Sequence, residues 1–328
     1  MDYFLSGLPK DPLPPLASLS EKPLAYFVRR DLLDEPVGRA DQLWQLPGAR
    51  NILRRQQEDG SWRYPNRSKS EDPHHNYDLL ETFRQVGVLV QQYGFDREHP
   101  AMRGAAEFIF SCQTQEGDLR GILANQYMPY YHGAILALLC EAGFGADVRL
   151  VRGLEWLLEM RQEDGGWIVP MQAVPPRQRT AALWLQEPVQ PERSRPSSHM
   201  ATGMALRAFA AHPQYRPHPG VQAAARLLKA RLFQRDRYND RQGVEYWTKF
   251  QYPFWWTDLV SALDTLGKLD FEADDPEVQR GLNWFYGNQE DDGIWPTGYG
   301  KGRRAEEARR WVALGICRVL RRFSAAVD

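Results

Sequence analysis

An aspartate directly follows the densest aromatic run of the chain. Asp258 comes after the sequence YPFWWT at 252–257, where an apolar helix is expected to start. A carboxyl group beneath an aromatic surface can have a raised pKa, because burial disfavours its charged form, and it can then serve as a general acid. The alternative interpretation is that Asp258 caps its helix or pairs with an arginine.

Further acidic side chains open an earlier apolar helix. Asp78 and Glu81 follow His74, His75 and Asn76. Their spacing of three residues places both carboxyl groups on one helix face. Two carboxyl groups in one cavity titrate as a pair, which leaves one of them protonated. The alternative is an exposed helix start, where the helix dipole favours negative charge.

Histidines stand at the starts of several apolar helices. His132 and His199 open two of them, and His74 or His75 opens another. Histidine can move a proton or bind a metal near neutral pH, although a lone histidine is more often structural. Together with Asp258 these histidines would suit a metal site, but their spacing does not show one. We expect neither a metal nor a cofactor.

Aromatic side chains share these helix starts. They are Tyr77, Tyr130, Tyr131, Trp255, Trp256 and Trp311. Such a set is expected to line a cavity and to stabilise cations through the ring faces, or else simply to form core. A basic loop at 298–304 offers charges for an anionic head group, with an ordinary solvated loop as the alternative.

A repeated motif predicts the elements that position these residues. The pattern R-G-x-x-W-F-x-x-x-Q-x-x-x-G-x-W at 280–295 recurs at 152–167, 105–119 and 48–62, and a worn copy lies near 226–247. Each copy reads as the end of an amphipathic helix followed by a glycine turn. The tryptophan is expected to pack back on the helix, with its indole meeting the glutamine amide. The motif therefore predicts a structural staple between successive helix pairs.

Helical pairs alternate along the whole chain. First helices are predicted at 47–57, 100–113, 148–162, 219–234 and 276–289, with more apolar second helices beginning near 76, 130, 198, 255 and 306. A helix near 21–33 would complete a sixth layer. Such pairs stack into a solenoid or close into a ring. Closure removes both apolar ends, so we predict an all-α (α/α)6 toroid over 19–328, preceded by an extended segment over 1–18. The long loops at 168–197 and 235–252 are predicted to be lids or disordered insertions.

Composition narrows the function classes. The chain has 328 residues, 43% of them hydrophobic, and a net charge of −1, which argues against nucleic acid as a partner. The sequence contains no run of 18 apolar residues and no recognisable signal peptide, so we expect a cytoplasmic protein without a membrane span. Cys112, Cys140 and Cys317 lie in apolar stretches and are expected to be buried free thiols.

The repeated motif resembles that of squalene-hopene cyclases, oxidosqualene cyclases and related class II terpene cyclases, and more weakly that of protein prenyltransferase β-subunits. The resemblance covers about residues 45–322. It implies a helical toroid with a central apolar cavity for an isoprenoid chain. The chain lacks the Asp-x-Asp-Asp acid motif of these cyclases, and its length suits one barrel rather than two. The closest text, EADD at 272–275, precedes Pro276 and reads as a helix cap.

These observations favour an isoprenoid cyclase or transferase whose cavity is lined by the aromatic set. Asp258, Glu81, Asp78, His132 and His199 are its catalytic candidates. An acidic-polysaccharide lyase on a helical toroid is an alternative, because His, Tyr, Asn and Arg side chains are also present. A non-catalytic barrel that binds a lipid or a protein is another. Peripheral contact with a membrane is compatible with an isoprenoid ligand.

Overall fold

The computed structural model describes residues 7–17, 22–65, 74–238, 242–299 and 302–324. Over these residues the chain is helical and contains no β-strand, which confirms the all-α prediction. The helices in chain order are α1 (Leu13–Ala17), α2 (Lys22–Asp31), α3 (Pro47–Leu53), α4 (Tyr77–Tyr93), α5 (Pro100–Ser111), α6 (Pro129–Glu141), α7 (Val148–Glu159), α8 (Pro170–Ala173), α9 (Ala181–Leu185), α10 (His199–Ala211), α11 (Pro219–Ala230), α12 (Leu259–Lys268), α13 (Pro276–Gly287) and α14 (Arg303–Ser324). Short 3-10 helices lie at Ala40–Leu43, Pro176–Gln178, Pro213–Tyr215 and Val244–Thr248.

The predicted helix pairs are present. The first helices are α3, α5, α7, α11 and α13, and four of them begin with proline, whose missing N–H has no intrahelical partner to lose there. The second helices are α4, α6, α10, α12 and α14. Helix α12 begins at Leu259, later than predicted, because Asp258 is its extended N-cap residue. Helix α2 lies at the predicted position, although Glu21 is outside the described residues.

The segment predicted as extended over 1–18 contains a helix. Leu13–Ala17 forms α1, and its N-terminus is stabilised by the side chain of Asp11, which accepts from the Leu13 N–H at 2.9 Å. Leu16 on this helix is fully buried. The first six residues and residue 18 lie outside the described structure.

The chain divides into two compact units. The larger comprises Ala40–Ala224 and Arg237–Asp240; the smaller comprises Met1–Arg39, Ala225–Asp236 and Arg241–Asp328. In the larger unit, α4 packs on α6 and α6 on α10, while α3, α5 and α7 lie against them. Helices α6 and α10 are buried almost throughout, whereas α5 and α7 bury one face. In the smaller unit, α12 packs on α13 and α14, and α14 packs on α2. The single domain over 19–328 and its closure into a toroid stay predictions.

The glycines of the repeated motif adopt one conformation in four places. Gly60, Gly117, Gly165 and Gly293 have φ angles of +88°, +106°, +94° and +86°. Glycine reaches this region without strain because it has no Cβ. A Cβ on Gly60 would also lie 2.1 Å from the carbonyl oxygen of Gly104. At Gly60, glycine is therefore required both by the positive φ angle and by the lack of room for a Cβ.

The tryptophans of the motif hold the end of the preceding helix. The indole N–H donates to the carbonyl ten residues earlier: Trp62 to Ile52 at 2.8 Å, Trp167 to Leu157 at 2.7 Å and Trp295 to Phe285 at 2.8 Å. The predicted bond between indole and glutamine amide is wrong. The indole instead satisfies a carbonyl that the helix end leaves without an intrahelical partner.

The glutamines connect each turn to the next first helix. Nε2 of Gln56 donates to the carbonyl of Gly60 at 2.9 Å and to that of Ala101, in the first turn of α5, at 2.8 Å. Gln113 makes the same two bonds, to its own turn and to the first turn of α7. The predicted staple between successive pairs is therefore present, and it is made by the glutamine.

Candidate functional site

The candidate residues fall in both units. Asp78, Glu81, His132, His199 and the tyrosines of α4 and α6 belong to the larger unit. Asp258, Trp255, Trp256 and Trp311 belong to the smaller unit.

Glu81 is a buried carboxylate on α4. The residue is 5% exposed, and its Oε1 accepts from Nε2 of Gln85 at 2.5 Å. Oε2 lies 3.5 Å from Nη1 of Arg84 but has no hydrogen-bond partner among the described residues. Burying a carboxyl oxygen without a hydrogen bond costs free energy, so Oε2 of Glu81 is an exception to the usual pairing of buried polar atoms.

Asp78 has a local structural contact. Its Oδ1 accepts from the backbone N–H of Tyr64 at 3.0 Å, and the residue is half-buried at the start of α4. The neighbouring N-cap, Asn76, accepts from the Leu79 N–H at 2.9 Å. Asp78 therefore fixes the chain that leads away from the first repeated turn.

His132 makes two structural hydrogen bonds. Its Nδ1 accepts from the Leu119 N–H at 2.9 Å, and its Nε2–H donates to the Gly153 carbonyl at 3.0 Å. The side chain is fully buried, and burial lowers its pKa from 6.5 to about 4. Both nitrogens are occupied, so the ring has no free position for proton transfer. The geometry thus argues against the catalytic role predicted for His132.

Two threonines make the same contact in other copies of the motif. The backbone N–H of Trp62 donates to Oγ1 of Thr82, and that of Trp167 to Oγ1 of Thr202, both at 3.0 Å. Leu119 occupies the tryptophan position of its own copy, and His132 is the acceptor there. His132 therefore has the same structural role as Thr82 and Thr202, and this role explains a histidine on an apolar helix without a catalytic function.

His199 is the first residue of α10 and is largely buried. The preceding residue, Ser198, caps the helix by accepting from the Ala201 N–H at 3.1 Å. His75 has its Nδ1 2.9 Å from the carbonyl oxygen of Ile122, whereas His74 is exposed. A catalytic role for the buried His199 stays a prediction.

The aromatic residues of the larger unit form two groups. The rings of Tyr130 and Tyr131 lie 4.3 Å apart, and Phe83 meets Tyr131 edge-on at 5.9 Å. Tyr77 stacks on His75 at 5.8 Å. Tyr77 also precedes Glu81 by one helical turn and so shares its face of α4.

The long segment over 168–197 is ordered and covers the start of α4. It contains α8 and α9, and the ring of Trp184 on α9 lies 5.6 Å from that of His75. The side chain of Gln126 donates to the Leu183 carbonyl at 2.8 Å and accepts from the Val189 N–H at 2.9 Å. A disordered insertion is therefore wrong for this segment. Trp184 is a contact that sequence reasoning missed; its only signal was a tryptophan within a long polar loop.

Asp258 caps α12. Its Oδ1 accepts from the Ser261 N–H at 2.8 Å, and the Ser261 hydroxyl accepts from the Asp258 N–H at 3.0 Å. The residue is 3% exposed, directly after Trp255 and Trp256, whose rings lie 6.2 Å apart. The capping interpretation is confirmed, and burial beneath the aromatic run is present as well. A role as an acid stays a prediction.

Trp311 belongs to an aromatic stack beside a half-buried ion pair. Its ring lies parallel to that of Tyr252 at 5.5 Å. The Tyr252 hydroxyl accepts from Nη1 of Arg318 at 2.9 Å, and Nε of Arg318 donates to Asp31 at 2.8 Å. Burial alone would raise the pKa of Asp31, but the charges and hydrogen bonds of Arg318 and Arg30 together outweigh it and hold that pKa below its ordinary value. Tyr252 is a further residue that the sequence analysis did not single out.

The acidic sequence before α13 and the three cysteines were also interpreted from the sequence. Asp275 caps α13 by accepting from the Glu277 N–H at 3.1 Å, as the EADD text predicts, and it pairs with Lys229. All three cysteines are free, but Cys112 and Cys140 are half-buried and only Cys317 is buried.

Further expectations concern metals, the basic loop and the relation to membranes. Within the described ranges, no three His, Cys, Asp or Glu side chains are placed to hold a metal. The basic loop at 298–304 lies partly outside the described residues. No described helix is long and apolar enough to cross a bilayer; the cytoplasmic location stays a prediction.

Comparison with known proteins gives distant similarities. No family model and no curated protein matches the chain. Among solved structures, a protein from Actinoplanes is 16% identical over 88% of both chains, with a TM-score of 0.44. A variant of the type II terpene cyclase MstE from Scytonema, in complex with its product merosterolic acid A, is 13% identical over 94% of this chain and 100% of that chain, with a TM-score of 0.33. The apo form of MstE is 15% identical over 88% and 99%, with a TM-score of 0.31. Similarities of this size carry no argument about activity.

Proposed function

We propose that this chain is a terpenoid cyclase-like or prenyltransferase-like protein without the Asp-x-Asp-Asp motif, and that it binds an isoprenoid chain on aromatic side chains at helix starts. The larger and the smaller unit each offer one candidate site, and each is proposed by itself. The observation that carries the proposal is Glu81. Its Oε2 is buried without a hydrogen bond among the described residues, one helical turn from Tyr77. A buried carboxylate beside an aromatic face is suited to a site that handles cations.

The chemistry would be initiated by an acid. A carboxylic acid gives its proton to one carbon of a double bond, whose π electrons form the new C–H bond and leave a cation on the other carbon. The candidate acid is Asp258 of the smaller unit, because it is buried beside Trp255 and Trp256 of that unit. The Ser261 N–H donates to Oδ1 of Asp258, so the proposed acid is also the cap of its own helix.

In the larger unit, Glu81 would act on positive charge and not as an acid. Nη1 of Arg84 lies 3.5 Å from Oε2, within ion-pair distance. A carboxylate can stabilise positive charge electrostatically or accept the proton that ends the reaction. Aromatic faces such as that of Tyr77 would stabilise positive charge in the same unit. Peripheral contact with a membrane, from which an isoprenoid is drawn, is part of the same proposal.

The experiment compares turnover with binding. Purified protein is extracted and co-purifying lipids are identified by mass spectrometry; polyprenyl substrates are then incubated with wild type, Asp258→Asn and Glu81→Gln. Asparagine caps helices as well as aspartate does, so Asp258→Asn keeps the fold. We expect it to reduce turnover by about 100-fold or more. Full turnover in Asp258→Asn would exclude Asp258 as the acid.

A non-catalytic isoprenoid-binding protein is the second candidate. The capping contacts of Asp258 favour it, because they give this carboxylate a complete structural role. Bound isoprenoid without turnover of any substrate would select this reading. The polysaccharide lyase alternative loses support, because both ring nitrogens of His132 are engaged and Arg179 donates to the backbone carbonyls of Val174 and Gln172.

A further inference from the structure

One copy of the repeated motif replaces its glutamine by arginine. Arg161 occupies the position of Gln56 and Gln113, and the next first helix is α11. In the glutamine copies the side chain reaches the second residue of that helix, which in α11 is Gly220. A Cβ on Gly220 would lie 2.2 Å from Nη1 of Arg161. The missing side chain at Gly220 therefore makes the space that the guanidinium of Arg161 occupies.

A second arginine is held beside the first. Nη1 of Arg193 donates to the backbone carbonyl of Arg161 at 2.6 Å. The backbone carbonyl of Arg193 accepts from the Glu163 N–H at 2.9 Å. The side chain of Gln162 donates to the carbonyls on either side, those of Glu192 at 2.6 Å and Arg195 at 3.0 Å. The segment that carries Arg193 is thus fixed against the turn that carries Arg161.

The described residues offer neither arginine a carboxylate partner. Within the described ranges, no carboxylate lies within ion-pair distance of Arg161 or Arg193, whereas nearby Arg195 pairs with Glu192 at 2.5 Å. Burial and the charge of Arg193 lower the pKa of Arg161. The start of α11 adds the positive end of a helix dipole. Backbone carbonyls accept from both side chains, that of Leu158 from Nε of Arg161 at 3.0 Å and that of Arg161 from Arg193, but they carry no full negative charge. An anion would stabilise the two like charges further.

We propose that Arg161 and Arg193 form a binding site for a phosphate group. Two guanidinium ions match the charge of a phosphomonoester, which is close to −2 at neutral pH. Planar guanidinium groups also bind phosphate oxygens in a bidentate manner. The site lies at a turn between first helices and shares no residue with the isoprenoid site, so it does not depend on the proposed function.

The test measures binding of inorganic phosphate by titration calorimetry at constant ionic strength. Arg161→Gln restores the residue of the other copies, so its amide is expected to reach the carbonyls of its own turn and of Gly220. Arg193→Gln removes the second charge. The control is Arg177→Gln, because Arg177 is exposed on the same segment and has no described carboxylate partner. We expect affinity to fall at least about tenfold in the first two variants and to stay within about twofold in the control.

Stability without phosphate separates a ligand role from a structural one. Arg161→Gln should have a Tm equal to or above that of wild type, because it removes a like-charge contact. The proposal is overturned if this variant is less stable without phosphate and binds phosphate normally. It is also overturned if Arg177→Gln loses as much affinity as Arg161→Gln.

Vesicles identify the source of the phosphate. Sedimentation with phosphatidylcholine vesicles, with and without phosphatidic acid, is compared for wild type and Arg161→Gln. Binding that requires phosphatidic acid and Arg161 assigns the site to a lipid head group. Binding of inorganic phosphate alone assigns it to a soluble ligand. Binding of neither would contradict the proposal.

Discussion

At the turns after α3 and after α5, a glutamine side chain donates to the same two carbonyls, and a glycine takes the same positive φ. At the starts of the second helices the N-cap residue changes from Asn76 to Met128, Ser198 and Asp258. The turns repeat because each one ends a helix and connects it to the next first helix through the same backbone carbonyls. The helix starts vary because nothing structural requires them to be alike. Residues that differ between equivalent positions are therefore the ones to test for function.

The largest expected effect tests whether the glycine turn is indispensable. Gly60→Ala forces a Cβ into positive φ and against the Gly104 carbonyl, so we expect a loss of about 4 kcal/mol in the free energy of unfolding. Gly104→Ala is the matched control, because its Cβ would meet its nearest atom only at 3.6 Å. Urea unfolding measures both. Equal stability of the two variants would show that the turn tolerates other conformations.

The next prediction tests whether His132 has a structural role, as the acceptor for the backbone N–H of Leu119 in a repeated turn. Burial lowers the pKa of His132 from 6.5 to about 4. Between these values the unfolded chain takes up a proton that the folded chain does not. The free energy of unfolding therefore falls as the pH drops from about 6.5 to 4, by ~3 kcal/mol.

His132→Leu should remove that part of the pH dependence. It should also cost about 2 kcal/mol at pH 7.5, because the Leu119 N–H loses its acceptor. Thr202→Val is the control, since it removes the equivalent acceptor of Trp167 without a titrating group. Urea unfolding at about pH 7.5 and pH 5 compares them. An unchanged pH dependence in His132→Leu would place the titrating group elsewhere.

A smaller effect is expected from the indole bond. Trp167→Phe removes the donor to the Leu157 carbonyl, and we expect a loss of about 1 kcal/mol in the free energy of unfolding beyond the change in packing. Trp184→Phe serves as the reference, since its indole N–H has no hydrogen bond within the described structure. If both variants lose the same amount, the indole bond contributes nothing specific.

The smallest effect concerns Asp258. Asp258→Asn should change the free energy of unfolding by less than about 0.5 kcal/mol, because both residues are good N-caps. Thermal unfolding checks this together with Asp258→Ala, which should lose about 1 kcal/mol. A large loss in Asp258→Asn would show that the charge itself stabilises the fold.

The sequence was informative about the turns and much less so about the site. Helix pairs and the glycine turn follow from local rules that act within about ten residues. The role of His132 could not be read in this way, because its partners Leu119 and Gly153 come from a preceding turn and from a neighbouring helix. The missing hydrogen bond of Glu81 Oε2 could not be predicted from the sequence either, because burial depends on packing between helices. The cap at Asp258 was foreseeable, because Asp at a helix start has a local explanation.

The last repeated turn has a consequence for the order of folding. Nε2 of Gln289 donates to the Lys10 carbonyl at 2.8 Å, and the Lys10 N–H donates back to Gln289 at 2.9 Å. For Gln56 and Gln113 the partner is the helix that follows; here it is a segment synthesised 279 residues earlier. On the ribosome, the segment around Lys10 must therefore wait until nearly the whole chain has emerged. Its docking is a late, long-range event, whereas Gln56 and Gln113 find their partners within the next few seconds of synthesis.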